Sequence, residues 1–162
     1  MTARVVAVCV VHQLLSDPGP AGVTAIDKRP VAGPVQAGEY GLYADVQADR
    51  KRHGGLEKAI YAYSSADARH WAQELGQPTE PGWFGENLRI DGLDVSGARI
   101  GECWQIGERL VVQVTGPRIP CQTFARRVGG EHERGWVKRF LAAGRSTGCL
   151  PAGPHPRTGG LR

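Results

Sequence analysis

Glycine and proline interrupt this chain so often that they constrain its fold more than any other feature. The sequence holds 23 glycines and 11 prolines, 34 of its 162 residues or about 21%, against about 12% in average usage. Glycine favours turns, and proline can neither continue a helix nor donate to a sheet ladder. The chain is therefore predicted to be mostly β with short helices, in a barrel or sandwich.

Hydrophobic patterns locate the main strands and helices. Residues 4–11 form an unusually apolar run and are predicted to be a buried strand, and residues 102–106 and 109–115 are predicted to pair as a hairpin. Apolar residues at helical spacing predict a helix that begins at Ser64 and ends at Gly76. Two further short helices are predicted over residues 123–128 and 136–143.

Length, hydropathy and charge exclude several classes of protein. The chain suits a single domain, and its longest aliphatic run, residues 5–11, is far shorter than the ~20 residues of a membrane-spanning helix. No signal peptide is evident. Residues 117–162 are basic, but they contain no recognisable nucleic-acid-binding signature. We therefore expect neither a membrane nor a nucleic acid as partner.

The cysteines indicate a reducing environment. Cys9, Cys103, Cys121 and Cys149 lie far apart, and no pair has the C-x-x-C spacing of a zinc or dithiol site. Because no secretory signal accompanies them, we expect free thiols and a cytoplasmic location.

Three loop clusters combine glycine or proline with reactive or polar groups. Paired glycines allow close approach of a ligand, imidazole and ammonium groups bind anions, and an amide can recognise the edge of a heterocycle. The clusters are residues 45–49 leading to His53-Gly54-Gly55 and Lys58, residues 84–88 with Asn87, and Pro117-Arg118-Ile119-Pro120-Cys121.

Cys121 is the strongest candidate for a chemical role. Two prolines flank its loop, and Arg118, Arg126 and Arg127 are near in sequence. Nearby cations lower the pKa of a thiol, and the resulting thiolate is both a nucleophile and a ligand for soft metals. Cys9 and Cys103 lie within predicted strands and are assigned to packing.

Seven motifs in a fixed order make the chain resemble the MOSC domain, a family named for the C-terminal domain of molybdenum-cofactor sulfurase. The similarity is strongest to small bacterial stand-alone members that reduce N-hydroxylated compounds, including N-hydroxylated purines. It runs from residue 4 to residue 145. The motifs are Gln47-Ala48-Asp49, His53-Gly54-Gly55, residues 58–63, Trp71, residues 84–88, Ile100-Gly101-Glu102 and residues 117–121.

The resemblance implies a β-barrel that holds the molybdenum cofactor, a pterin dithiolene with a phosphate. The family's molybdenum ligand carries over to Cys121, which would be both the metal ligand and the catalytic residue. The remaining positions expected around the cofactor are His53, Gly54, Gly55, Lys58, Asn87 and Arg118. By residue chemistry, Arg118 and Lys58 suit the phosphate, and Asn87 suits the pterin edge.

The C-terminus departs from the family pattern. Residues 1–145 would form the barrel domain, and residues 146–162 a Gly/Pro-rich tail in which Pro151, Pro154 and Pro156 exclude a central strand. The family's closing strands are not expected here. An incomplete barrel would expose an open edge, which favours lower stability or a homo-oligomer formed through that edge.

Two functions and one inactive alternative follow from the resemblance. The favoured reading is a molybdenum-dependent reductase of N-hydroxylated small molecules, which needs a separate electron-donor protein because the sequence has no flavin, haem or iron–sulfur signature. The alternative is a sulfur-transfer or cofactor carrier that uses a Cys121 persulfide. The third reading is a degenerate, non-catalytic barrel.

Overall fold

The computed structural model describes residues 3–129, 135–144 and 149–151. Nine strands and four short α-helices occur in these residues, with a 3₁₀ helix at Leu56–Lys58. The strands are β1 Arg4–Ser16, β2 Val23–Pro30, β3 Ala37–Gly38, β4 Gly41–Leu42, β5 Ala62–Ser64, β6 Leu88–Asp91, β7 Cys103–Ile106, β8 Leu110–Pro117 and β9 Cys149–Pro151. The helices are α1 Arg50–His53, α2 Ser65–Leu75, α3 Gln122–Gly129 and α4 Trp136–Ala142.

The strands form three small sheets. The largest has the order β2-β1-β6-β5, in which β1 pairs antiparallel with β2 and β6 while β5 and β6 are parallel. The second sheet pairs β3 with β4, and the third has the order β7-β8-β9. The prediction of a mostly β fold with short helices is confirmed.

Helix α2 confirms the predicted boundaries and shows why they could be read from the sequence. The Ser64 hydroxyl accepts a hydrogen bond from the backbone N–H of Asp67 at 3.1 Å, and Gly76 ends the helix in a left-handed conformation. Both interactions are local, so residue type alone specifies them. The predicted helices near residues 123–128 and 136–143 are likewise present as α3 and α4.

The strand predictions are only partly right. The hairpin of β7 and β8 has the predicted bounds within a residue or two. The first strand, predicted to be buried throughout residues 4–11, is buried only at Cys9 and Val10, and its other residues are partly or fully exposed. It also continues to Ser16, beyond the predicted end.

The C-terminal segment contributes a strand that the sequence analysis did not expect. β9 pairs antiparallel with β8, with Pro151 opposite Val114 and Cys149 opposite Pro117. It lies at the edge of its sheet, where the missing N–H of a proline is tolerated. The rest of the tail, residues 146–148 and 152–162, lies outside the described residues.

Two apolar clusters stabilise the fold. One, the sheet core, packs side chains from the three sheets, including Ile60, Val95, Val112 and Val114. The other, the aromatic cluster, joins α2, α3 and α4 through Tyr63, Trp71, Phe84, Phe124 and Phe140. Within the described residues, no helix has both the length and the apolar character needed to cross a membrane.

A buried ion pair organises the loop before β6. The Glu86 side chain is fully buried and that of Arg89 is 5% exposed. Glu86 Oε1 accepts hydrogen bonds from Arg89 Nε and from the Gly82 backbone N–H, each at 2.8 Å, and Oε2 accepts from the Phe84 N–H at 3.1 Å. Arg89 also donates to the Thr79 carbonyl at 3.2 Å. The pair therefore satisfies backbone groups that the loop cannot pair within a sheet.

This arrangement predicts a large difference between two glutamate substitutions. Glu86→Gln leaves the Arg89 charge buried without its counter-ion and should lower the free energy of unfolding by about 3–5 kcal/mol. The matched control is Glu74→Gln, which breaks the ion pair with Arg139 between side chains that are both more than 40% exposed and should cost about 0–1 kcal/mol. Urea titration measures both, and equal losses would contradict the role given to Glu86.

Candidate active site

A cavity of about 530 Å³ lies where the three loop clusters meet. Its walls come from the β1–β2 turn, the segment around α1, the loop before β6, and the segment that leads into α3. Five predicted site residues line it: His53, Lys58, Asn87, Arg118 and Cys121. Residues up to 68 positions apart in sequence are therefore brought together in one site.

Cys121 immediately precedes α3 and is half buried in the cavity wall. Its carbonyl accepts the hydrogen bond from the Ala125 N–H at 2.9 Å that begins the helix. Burial alone raises the pKa of the thiol, but hydrogen bonds from the His53 side chain and the Phe124 N–H, together with the charges of His53 and Arg118, lower it from 9.0 to about 7. Cys121 is thus a thiolate in a substantial fraction of molecules at neutral pH.

Helix α1 positions His53 beside Cys121. The Asp49 carboxylate caps the helix by accepting from the Arg52 N–H at 3.1 Å, and the Asp49 carbonyl accepts from the His53 N–H at 2.8 Å. The first loop cluster, residues 45–49 leading to His53-Gly54-Gly55, therefore contains one turn of helix, whose last residue supplies the imidazole.

Gly54 and Gly55 shape this loop and do not line the cavity. A Cβ at Gly54 would lie 2.4 Å from the Gln47 side-chain oxygen, and Gly55 has a φ of +90° that disfavours other residues. The Gly55 N–H donates to Gln47 Oε1 at 2.9 Å. The structure thus explains both glycines by contacts within the chain, and direct ligand contact by them stays a prediction.

The cavity floor is a buried polar network centred on Asp45. Asp45 Oδ2 accepts from Asn87 Nδ2 at 2.7 Å and forms an ion pair with Lys28 Nζ, while Oδ1 accepts from the Val11 N–H at 2.9 Å. Burial lowers the pKa of Lys28, and the Asp45 charge opposes this shift. Sequence reasoning missed Lys28, because nothing local to β2 marks it as the partner of a residue 17 positions away.

Both the oxygen and the nitrogen of the Asn87 side-chain amide form hydrogen bonds within the protein. Its Oδ1 accepts from the Tyr61 N–H at 3.0 Å, and its Nδ2 donates to the Cys9 carbonyl at 3.2 Å as well as to Asp45. Because both amide hydrogens are engaged, only a remaining lone pair on Oδ1 is left for a ligand. Recognition of a pterin edge by Asn87 stays a prediction, and the geometry gives the residue a positioning role.

Two further cations, Arg118 and Lys58, line the cavity. The Arg118 guanidinium lies 5.6 Å from the centre of the Tyr61 ring, and Lys58 Nζ donates to the Arg52 carbonyl at 2.6 Å. The acidic groups that line the cavity are Asp17, Asp45 and Asp49, and each is within ion-pair distance of a base, namely Arg126, Lys28 and Arg52. Arg118 and Lys58 are therefore suited to an anionic ligand.

Comparison with known proteins assigns this arrangement to a family. The sequence pattern of the MOSC domain matches residues 49–158, more than half of the chain. The chain belongs to the MOSC domain family. The match extends into the segment after residue 145 and includes β9.

Individual proteins are similar over much of the chain. Protein YiiM of Escherichia coli (strain K12) is 33% identical over 141 residues, which cover 79% of this chain and 62% of that protein. A protein named Reductase from Gibberella moniliformis is 32% identical over 103 residues, 60% of this chain and 18% of that protein. This chain thus spans less than two thirds of the length of either.

The fold is also similar to a solved MOSC structure. The crystal structure of YiiM from Geobacillus stearothermophilus has a TM-score of 0.71 and 27% sequence identity, and the alignment covers 94% of this chain and 68% of that one. The expected MOSC fold is confirmed.

The environment of Cys121 predicts its pH-dependent reactivity. In protein free of cofactor, the rate of alkylation by iodoacetamide should rise with pH through a pKa of about 7, because only the thiolate reacts. His53→Ala removes a hydrogen bond and a positive charge that favour the thiolate, so the pKa should move up toward 9.0. An unchanged profile in this variant would contradict the pairing with His53. His70→Ala, a change on α2 outside the cavity, serves as control.

Proposed function

We propose that the protein is a molybdenum-dependent reductase of N-hydroxylated small molecules such as N-hydroxylated purines. The observation that carries this proposal is a thiolate-forming cysteine beside a histidine, in a cavity that also presents Arg118 and Lys58. Membership of the MOSC family and similarity to a protein named Reductase support it.

The residues at the cavity fit the molybdenum cofactor. The cavity volume of about 530 Å³ lies within the ~300–1,000 Å³ range of typical ligand sites. A thiolate is a suitable ligand for a metal already bound to sulfur, so Cys121 would hold the metal. Arg118 and Lys58 would hold the phosphate through charge-assisted hydrogen bonds. When bound, the cofactor would supply the two-electron redox chemistry.

The protein's own groups prepare this site for a ligand. Hydrogen bonds from His53 and the Phe124 N–H to Sγ of Cys121 favour its thiolate form. Phe84 and Tyr61 contribute aromatic surface to the wall. At the cavity floor, the opposite charges of the buried Asp45 and Lys28 side chains neutralise each other.

The reaction requires an outside source of electrons. Reduction of an N-hydroxyl group to an amine takes up two electrons and two protons and releases water. We propose that a separate electron-donor protein supplies the electrons in the reducing cytoplasm, which also suits the free thiols. Self-association through an open sheet edge stays a prediction.

A carrier of sulfur or cofactor is the second candidate. The same lowered thiol pKa that suits a metal ligand also suits a nucleophile that accepts sulfur to form a persulfide. This function would need Cys121 but no turnover of an N-hydroxylated compound.

Replacement of Cys121 tests the assignment of the metal ligand. Protein purified from a host that makes the molybdenum cofactor should contain molybdenum and release a fluorescent pterin product on oxidation. Cys121→Ser should lower the metal content and abolish reductase activity, because a hydroxyl is a poorer ligand for a soft metal site. The control Cys103→Ser changes an exposed thiol outside the cavity and should leave both unchanged. Wild-type protein without metal and pterin would reject the proposed cofactor.

Turnover distinguishes the enzyme from the carrier. With cofactor bound, reduced dye and an N-hydroxylated purine should give many product equivalents per protein. A carrier would give at most one equivalent and would release thiocyanate from a Cys121 persulfide on treatment with cyanide. Cyanide-labile sulfur without repeated turnover would establish the second candidate instead.

A further inference from the structure

The β1–β2 hairpin extends beyond the sheet that anchors it. β6 pairs with β1 over Arg4–Val8, whereas the pairings from Cys9 to Ser16 are with β2. The outer half of the hairpin is thus a two-stranded ribbon, in which four of the eight β1 residues from Cys9 to Ser16 and three of the eight β2 residues are exposed. The Asp45 carboxylate anchors this ribbon at Val11 and Lys28, and Arg127 of α3 lies 3.6 Å from the Asp27 carboxylate. Beyond these contacts a two-stranded ribbon is at best marginally stable, so the position of its outer end depends on contacts made at the tip.

The tip of this hairpin, residues 17–23, forms one side of the cavity entrance. Asp17, Pro18, Gly19, Pro20 and Ala21 all line the cavity. The tip closes on itself through hydrogen bonds from the Asp17 N–H to the Gly22 carbonyl at 3.0 Å and from the Gly22 N–H to the Gly19 carbonyl at 2.9 Å. Pro18, Pro20 and Ala21 are nevertheless exposed, so packing of these side chains does little to hold the tip in place.

The Asp17 carboxylate connects the tip to α3. Oδ1 accepts from Arg126 Nη2 at 2.7 Å and from Arg126 Nε at 3.2 Å, and Oδ2 accepts from Thr123 Oγ1 at 3.3 Å. Oδ2 also accepts from the Gly19 N–H at 2.9 Å, which orients the carboxylate within the tip. These contacts join residues more than 100 positions apart.

The same first turns of α3 carry the candidate reactive cysteine. Cys121 precedes the helix, Thr123 lies two residues later, and Arg126 is one turn beyond Thr123. All three line the cavity. The contacts of Asp17 therefore fix the separation between the hairpin tip and the wall that holds Cys121.

We propose that the Asp17–Arg126 pair, assisted by Thr123, is a clasp that sets the width of the cavity entrance and so limits the size of molecules that reach Cys121. Asp17 and Arg126 are positioning residues for selection by size. Entry of a reagent to Cys121 can be measured without any cofactor. The inference therefore rests on the proposed function only where it identifies the entering molecule as the substrate.

Selective alkylation of Cys121 tests the clasp directly. The full chain is produced without cofactor in a Cys103→Ser/Cys149→Ser background, and Cys9 remains because it is fully buried with a thiol pKa raised by burial to about 12. Rates are measured with iodoacetamide, which is small, and with pyrene maleimide, which is bulky. Asp17→Ala should raise the ratio of the bulky to the small rate by about tenfold, the change that corresponds to loss of one charge-assisted hydrogen bond.

The ratio of the bulky to the small alkylation rate distinguishes a change in entrance width from a change in the reactivity of the Cys121 thiol. A change in the thiolate fraction of Cys121 alters both rates together at one pH, whereas a wider entrance favours the bulky reagent. Arg126→Gln removes the other partner of the ion pair and should also raise the ratio. Because either variant tests the clasp, the experiment can be completed if one of them fails to fold. The control Glu74→Ala breaks the exposed pair with Arg139 between α2 and α4 and should leave the ratio unchanged.

The clasp would be overturned by an unchanged ratio in an Asp17→Ala or Arg126→Gln protein that is folded, as judged by a native melting temperature and circular dichroism.

In cofactor-loaded protein, the same variants should lower KM for bulky N-hydroxylated substrates more than for small ones. Absence of reductase activity together with a changed alkylation ratio would reject the proposed function while supporting the clasp.

Discussion

The carboxylate of Asp45 is the contact on which the site depends most. It binds the Lys28 ammonium from β2, the Asn87 amide from the loop before β6, and the Val11 N–H of β1. Buried charges are stable only when paired and hydrogen-bonded, so these three partners can occupy the interior only together. The network thereby holds two strands and two loops at one point and forms the floor of the cavity.

Around this floor, the groups that fix the backbone of the site differ from the titratable groups that line the cavity. Gly54 leaves room for the Gln47 side chain, and Asn87 bridges Tyr61, Cys9 and Asp45. These residues fix the backbone on which reactive groups stand. His53 and Cys121 are instead presented on short helical segments whose first turns supply the capping bonds. Residues of a shared motif can therefore have different roles, which only their contacts reveal.

The sequence predicted interactions that are local and missed those that are distant. Helix α2 could be read because Ser64 and Asp67 are three residues apart, and the loop clusters could be recognised by residue type and by family resemblance. Lys28 and Asp17 could not be found, since their partners lie 17 and 109 positions away and no local pattern in β2 or in the hairpin tip specifies them. The edge strand β9 was missed because prolines exclude central strands but tolerate edges.

Cys9 and Cys121 show how surroundings assign a role to the same side chain. Cys9 is fully buried, and burial with the nearby Glu86 charge raises its thiol pKa to about 12. Cys121 is also largely removed from solvent, but His53 and the Phe124 N–H stabilise its charged form, and the pKa falls to about 7. A thiol must lose its proton to bind a metal. At neutral pH that loss is strongly unfavourable for Cys9 and costs little for Cys121, so of these two thiols only that of Cys121 is prepared to act as a nucleophile or a ligand.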